Sequence, residues 1–216
     1  MSEHAFSAAE RAAIYRAIGE RRDMRHFAGG DVAPAVLARL LAAAHQAPSV
    51  GLMQPWRFIR ITRRELRGQI QALVEAERVR TAQALGERSD DFMKLKVEGI
   101  NDCAEVLVAA LMDNREPHIF GRRTLPEMDL ASLACAIQNL WLAARGEGLG
   151  MGWVSLFDPQ ALAALLGMPA GAKPVAVLCL GPVTAFYPAP MLVQENWAQQ
   201  RPLSEMLFEN QWGECQ

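Results

Sequence analysis

The stretch Gly146-Glu-Gly-Leu-Gly-Met-Gly-Trp-Val-Ser-Leu-Phe157 decides between fold classes. Glycine at every second residue invites a dinucleotide-binding reading, yet neither Gly146 nor Gly148 opens a G-x-G-x-x-G. The direction is also wrong. The run closes a helix and enters a strand, whereas the phosphate-binding fingerprint follows a strand and opens a helix. The glycines therefore read as a helix cap followed by a strand whose bare backbone lets a flat ligand come close.

Working outward, Leu130 to Glu147 reads as a buried helix, and Met151 to Phe157 as a mixed strand. Glu105 to Met112 (EVLVAALM) and Lys173 to Leu180 (KPVAVLCL) are near-continuous apolar runs of the kind found in central strands covered on both faces. Ser7-Ala-Ala-Glu10 is a capping box that opens a helix to about Glu20. Pro34 suits a first helical position, and Val36, Leu37, Leu40, Leu41 and Ala44 then share one face until Ala47-Pro48-Ser49. Trp56 to Thr62 reads as a strand, and Arg63 to about Leu85 as a long charged helix ended by Gly86. Asp158-Pro159 caps a short helix that stops at Gly167. Ser89 to Asp102 mixes charges with Phe92, Met93, Leu95 and Val97, a composition suited to a mobile cover over a pocket. The Pro-rich tail from Gly181 to Gln216, with Trp197 and Trp212, reads as an extended arm that wraps a partner subunit. The whole, 1–216, reads as a single α+β domain that dimerises.

Composition narrows function. The chain has 216 residues with 51% hydrophobic and 21% charged, a globular balance without the charge excess of disorder. Its formal net charge of −2 provides no global positive field for a polyanion, so nucleic acid is not expected as a partner. The most apolar stretch, Leu130 to Ala144, is interrupted by Ser132, Gln138 and Asn139 and is too short to cross a bilayer. Met1 to Glu10 lacks a basic start and an apolar run, so no signal peptide is expected and the cytoplasm is the expected compartment. Cys103, Cys135, Cys179 and Cys215 are scattered through apolar or terminal settings and read as reduced structural thiols. The four histidines show no paired ligand spacing, so no metal is expected. Ala47-Pro-Ser49-Val-Gly51 has the outline of a nucleophile elbow, but it lies after a helix and before a strand, the reverse of that motif's order.

Arg21-Arg-Asp-Met-Arg25 sets three guanidiniums around one carboxylate directly after a helix. Such cations decorate helix C-termini, where they meet the negative end of the dipole. Their forked donors equally suit a phosphate and the carbonyl edge of an aromatic heterocycle.

This cluster, A-P-S-V-G-L-M-Q-P-W at Ala47 to Trp56, E-G-L-G-M-G-W at Glu147 to Trp153 and a late N-W-x-x-Q-R-P-L together resemble the FMN-dependent nitroreductase superfamily. L-P-E-M-D-L-A-S at Leu125 to Ser132, I-Q-N-L-W-L-A-A-R at Ile137 to Arg145 and G-W-V-S-L-F-D-P at Gly152 to Pro159 are similar to its 5,6-dimethylbenzimidazole synthase subgroup. The resemblance implies a three-layer α+β fold, with a central, mostly antiparallel sheet flanked by helices, in an intertwined homodimer holding FMN at the subunit interface. It implies that Arg21, Arg22 and Arg25 grip the phosphate, ribityl and isoalloxazine groups, with Met24 and Val154 also at the cofactor. Pro48 and Ser49 would reach the flavin from the partner subunit, and Arg201 would add a second clamp on the phosphate.

Two positions depart from the common nitroreductase pattern: Asp23 stands where that pattern has Ser, and Leu52 where it usually has Asn. In the synthase subgroup the residues matching Asp23 and Ser155 are the chemical ones. The implied reaction consumes reduced FMN with O2 and gives 5,6-dimethylbenzimidazole and erythrose 4-phosphate. Water and early release would waste that chemistry, which calls for a closed, dry pocket. A separate flavin reductase is the implied source of reduced FMN. Two other readings compete: an NAD(P)H-dependent nitroreductase or flavin reductase that recycles its FMN, and a non-catalytic FMN-binding protein in which Asp23 is merely an arginine partner.

Overall fold

The computed structural model describes residues 4–213. The two apolar runs become β2 (Glu105–Leu111) and β4 (Lys173–Gly181), which lie at the centre of a four-stranded antiparallel sheet. Strand β1 (Trp56–Arg60) flanks β2, and β3 (Gly150–Val154) flanks β4, giving the order β1-β2-β4-β3. Both faces of the central pair are covered, which is why their sequences do not alternate. Leu107, Ala109, Ala176, Leu178 and Leu180 face one core, with Leu37 and Leu40 of α2 (Pro34–His45) and Leu133, Ile137 and Leu140 of α5 (Met128–Gly146). Val106, Val108, Val177 and Cys179 face the other, with Ile70 and Val74 of α3 (Arg64–Ala84) and Leu162 of α6 (Pro159–Leu165). The register slips between Ala109 and Ala110, where Pro174 enters β4 without an N–H to give the ladder.

Helix α1 (Ala8–Glu20) opens with the expected capping box: Ser7 Oγ accepts from Glu10 N, and Glu10 accepts from Ser7 N at 2.8 Å. Beyond α5, Gly148 takes φ +77°, Leu149 N donates to Ala144 O at 2.8 Å and Gly148 N to Arg145 O at 3.1 Å, a Schellman cap that reverses the chain into β3. No helix among the described residues is long and apolar enough to cross a membrane.

Three expectations need correction. Helix α5 is buried on one face only, since the sheet and α2 cover one side; Leu130 is 40% exposed and Cys135 is exposed on the other. Cys135 is therefore no interior thiol, unlike Cys103 and Cys179, and Cys215 lies outside the described residues. The first part of the C-terminal segment does not extend away as an arm. Ala28 N donates to Pro182 O, the Tyr187 hydroxyl sits 3.1 Å from Arg25 N, and the short helix α7 (Met191–Gln194) folds back onto its own chain. The segment beyond it, 198–213, is almost wholly exposed.

Candidate active site

The Arg21–Arg25 segment leaves α1 in an extended conformation and runs beside the edge of β3. Met24 N donates to Met151 O at 2.9 Å, forming a parallel bridge that occupies the strand's open side. This bridge aims Asp23 along β3. Asp23 Oδ1 accepts from Trp153 N at 2.9 Å, while Oδ2 pairs with Arg25 Nη2 at 2.7 Å. Arg25 Nη2 also donates to Trp153 O at 2.8 Å, so one guanidinium nitrogen joins the carboxylate to the strand.

Gly152 makes this approach possible. A Cβ there would stand 2.3 Å from Met24 O and 2.8 Å from Arg25 Nη1. The expected close approach at the glycine run is thus real, but the partners are the chain's own Met24 carbonyl and Arg25 guanidinium.

These residues line a cleft of about 530 Å³, within the range of small-molecule sites. Arg21, Arg22, Asp23 and Arg25 form its polar end, joined by Lys96, whose Nζ pairs with Asp102 at 2.5 Å. Apolar walls come from Phe92, Leu95, Val97, Trp153, Leu156 and Trp197. Val154 and Ser155 line the cleft where β3 ends. Of the expected cover, Phe92 in the short helix α4 (Ser89–Lys94) and Leu95, Lys96 and Val97 just after it border the cleft.

The cations differ in what they are free to do. Arg22 Nη1 donates to Gly19 O at 2.8 Å and Arg21 O at 2.7 Å, and its Nη2 reaches Pro188 O, so this guanidinium caps α1 and ties the C-terminal segment. Arg21 stacks over Trp141, with 4.6 Å to the ring centroid. Arg25 is nearly buried, and its Nη1 has no hydrogen-bond partner. Arg22 Nε is likewise buried without a partner among the described residues. A lining of several cations with apolar and aromatic walls fits an anionic aromatic molecule.

Burial pushes the Asp23 carboxyl above its ordinary value near 3.8; Arg25, the Trp153 N–H and Arg21, in that order, pull it back only in part. A carboxylate made more basic while open to a cleft is suited to taking a proton.

Not every expected residue meets here. Met24 does not line the cleft, for its side chain is buried against Gly150. Pro48 and Ser49 lie elsewhere, in the loop after α2, where Ser49 Oγ accepts from Gln54 N at 3.0 Å. Arg201 is exposed and follows Gln200, which lines the cleft. Tyr187 was not anticipated: its hydroxyl bonds Arg25 N, His26 N and His26 Nδ1, bracing the backbone behind the arginine. Its signal was faint, a lone tyrosine in the Pro-rich segment. Among the described residues no group of three or more His, Cys, Asp or Glu side chains is placed to hold a metal ion.

Comparison with known proteins places this geometry in a family. The model of the nitroreductase family matches residues 18–182. A 5,6-dimethylbenzimidazole synthase of Rhodospirillum rubrum is 41% identical over 185 residues, covering 84% of this chain and 87% of its own length. Among solved structures, a BluB-like flavoprotein of Clostridium difficile 630 superposes with a TM-score of 0.71 at 18% identity, over 92% of this chain and 99% of its own. Iodotyrosine deiodinase bound to FMN and 3-iodo-L-tyrosine gives 0.67 at 21% identity, over 81% and 92%. The chain belongs to the nitroreductase family.

Proposed function

We propose that the chain is a 5,6-dimethylbenzimidazole synthase, which fragments reduced FMN with O2 to 5,6-dimethylbenzimidazole, the lower ligand of cobalamin, and erythrose 4-phosphate. The observation that carries this reading is the Asp23 carboxylate, fixed on Trp153 N and Arg25 at the polar end of the cleft that Ser155 also lines. The 41% identity to the Rhodospirillum rubrum synthase supports it. Reduced FMN, when bound, supplies the electrons for O2 and the carbon skeleton of both products.

The chain's own residues do the rest. Arg21 and Arg25 hold the anionic and carbonyl groups, with Arg22 fixing the turn that presents them and Arg201 reaching the phosphate from the C-terminal segment. Asp23 Oδ2 takes the protons that bond cleavage releases, for which its raised basicity suits it. Ser155, whose hydroxyl both donates and accepts, positions the ring or passes a proton on. Phe92, Leu95 and Val97 keep water out.

The same reading makes the protein a cytoplasmic homodimer, with Pro48 and Ser49 entering the partner's cleft and a separate reductase delivering reduced FMN. Support for the dimer comes from apolar side chains left open on a single chain: Leu52 at 80% and Phe120 at 84% exposure beside the Ser49 loop, and Leu130 on α5. The free thiols of Cys103, Cys135 and Cys179 fit a reducing compartment.

A phosphate clamp predicts that FMN binds at least about tenfold more tightly than riboflavin, the worth of one charge-assisted contact. Equal affinities in a fluorescence titration would remove the clamp. The reaction itself is tested by adding chemically reduced FMN and air with no NAD(P)H: the oxidised-flavin absorbance should fail to return. Full return, with steady NAD(P)H oxidation on adding a quinone, would instead identify a recycling reductase; full return without turnover would identify a flavin carrier.

A further inference from the structure

In the N-W-x-x-Q-R-P-L motif, Trp197 does more than wall the cleft. Helix α7 ends in a Schellman cap: Asn196 takes φ +54°, Trp197 N donates to Leu192 O at 2.8 Å and Asn196 N to Val193 O at 3.1 Å. The left-handed turn at Asn196, which few side chains other than Asn and Gly tolerate, throws the Trp197 indole back over the cleft. There it meets the segment that begins α4. The Arg88 guanidinium carbon lies 3.6 Å from the indole centroid, and Arg88 Nη2 donates to Trp197 O at 2.9 Å. Phe92 packs on the same indole with ring centroids 5.9 Å apart. At the far end of α4, Arg78 of α3 holds the carbonyls of Met93 and Leu95. The cover is thus packed on α3, where Phe92 and Leu95 share a core cluster with Ala82 and Leu85, and Trp197 adds a tie from the C-terminal segment.

We propose that Trp197 is the latch of the cover, a positioning residue that acts through Arg88 and Phe92 to hold 89–97 closed over the cleft. It decides whether a bound flavin stays long enough to react. The inference rests on the flavin reading for its purpose, but the latch itself is measurable without any reaction. Only Trp197 and Phe92 of this set line the cleft; Arg88 does not, so it separates latching from direct contact with a ligand.

The experiment uses the full-length protein and oxidised FMN as the probe. Trp197→Ala should speed amide hydrogen exchange across 89–97 in the ligand-free protein, and should speed FMN release about fivefold, the scale of an exposed cation–π contact together with the packing of the indole on Phe92. Arg88→Ala and Asn196→Val should act in the same direction, whereas Trp197→Phe should recover part of the effect and Asn196→Gly should match the parent. Unchanged exchange across 89–97 in Trp197→Ala would overturn the latch. So would faster FMN release in Trp197→Ala with normal release in Arg88→Ala and Asn196→Val, which would make the indole a simple ligand contact. If the variants behave as a latch predicts while the parent makes no dimethylbenzimidazole, the latch stands and the reaction assignment fails.

Discussion

Asp23→Asn is expected to lower product formation by a factor of about a hundred or more while FMN binding stays within a few-fold of the parent, the usual worth of a positioned general base. Asn keeps an acceptor for Trp153 N and a side chain of nearly the same size, so the β3 edge is retained, and Arg25 loses its ion pair but keeps its bond to Trp153 O. What is lost is the basic oxygen at Oδ2. The pH dependence gives a second check. Because burial raises the carboxyl above its ordinary value, the active, ionised form is lost as pH falls through that raised value. The parent's acid limb should accordingly lie above the range of an ordinary Asp, and Asp23→Asn should have no such limb. A single-turnover profile of both proteins tests this; an unchanged rate in Asp23→Asn would remove the base assignment.

Gly152→Ala should damage both stability and binding. The new methyl group would sit 2.3 Å from Met24 O, a backbone atom held by the bridge to Met151, and 2.8 Å from Arg25 Nη1. The strand cannot retreat, because Gly152 is paired on its other side with Cys179 at the centre of the sheet. Overpacking of this kind costs about 1–3 kcal/mol, which for a chain of this size lowers Tm by roughly 2–4 °C per kcal/mol. Moving Arg25 also displaces a guanidinium that lines the cleft and holds Asp23, so FMN affinity should fall at least about tenfold. Gly146→Ala is the control, since nothing lies within 4 Å of a Cβ there. Thermal melts and FMN titrations of the two variants check the claim; wild-type behaviour in Gly152→Ala would mean that the edge of β3 yields more easily than its packing implies.

Much of this fold was legible in the residues. EVLVAALM and KPVAVLCL could only be central strands because both faces of each are covered, and helix caps at Ser7 and Asp158 used side chains that satisfy free amides locally. The Arg21–Arg25 cluster announced much of the polar lining of the cleft, since four of its five residues border it. What stayed hidden depends on contacts between distant parts of the chain. Arg22 reaches Pro188, Tyr187 braces Arg25, and Trp197 meets Arg88, pairs more than a hundred residues apart with no periodicity to betray them. The one-sided burial of α5 was hidden for a related reason: an apolar helix face reads alike whether the same chain or another covers it. Gly152 shows the middle case, where the sequence pointed to a close approach but not to the atoms that approach.

The most direct test of the central claim is mass spectrometry of the purified protein mixed with chemically reduced FMN and air, with NAD(P)H left out. 5,6-Dimethylbenzimidazole should appear in step with the disappearance of flavin. Quantitative recovery of oxidised FMN, with flavin reduction verified beforehand, would contradict it.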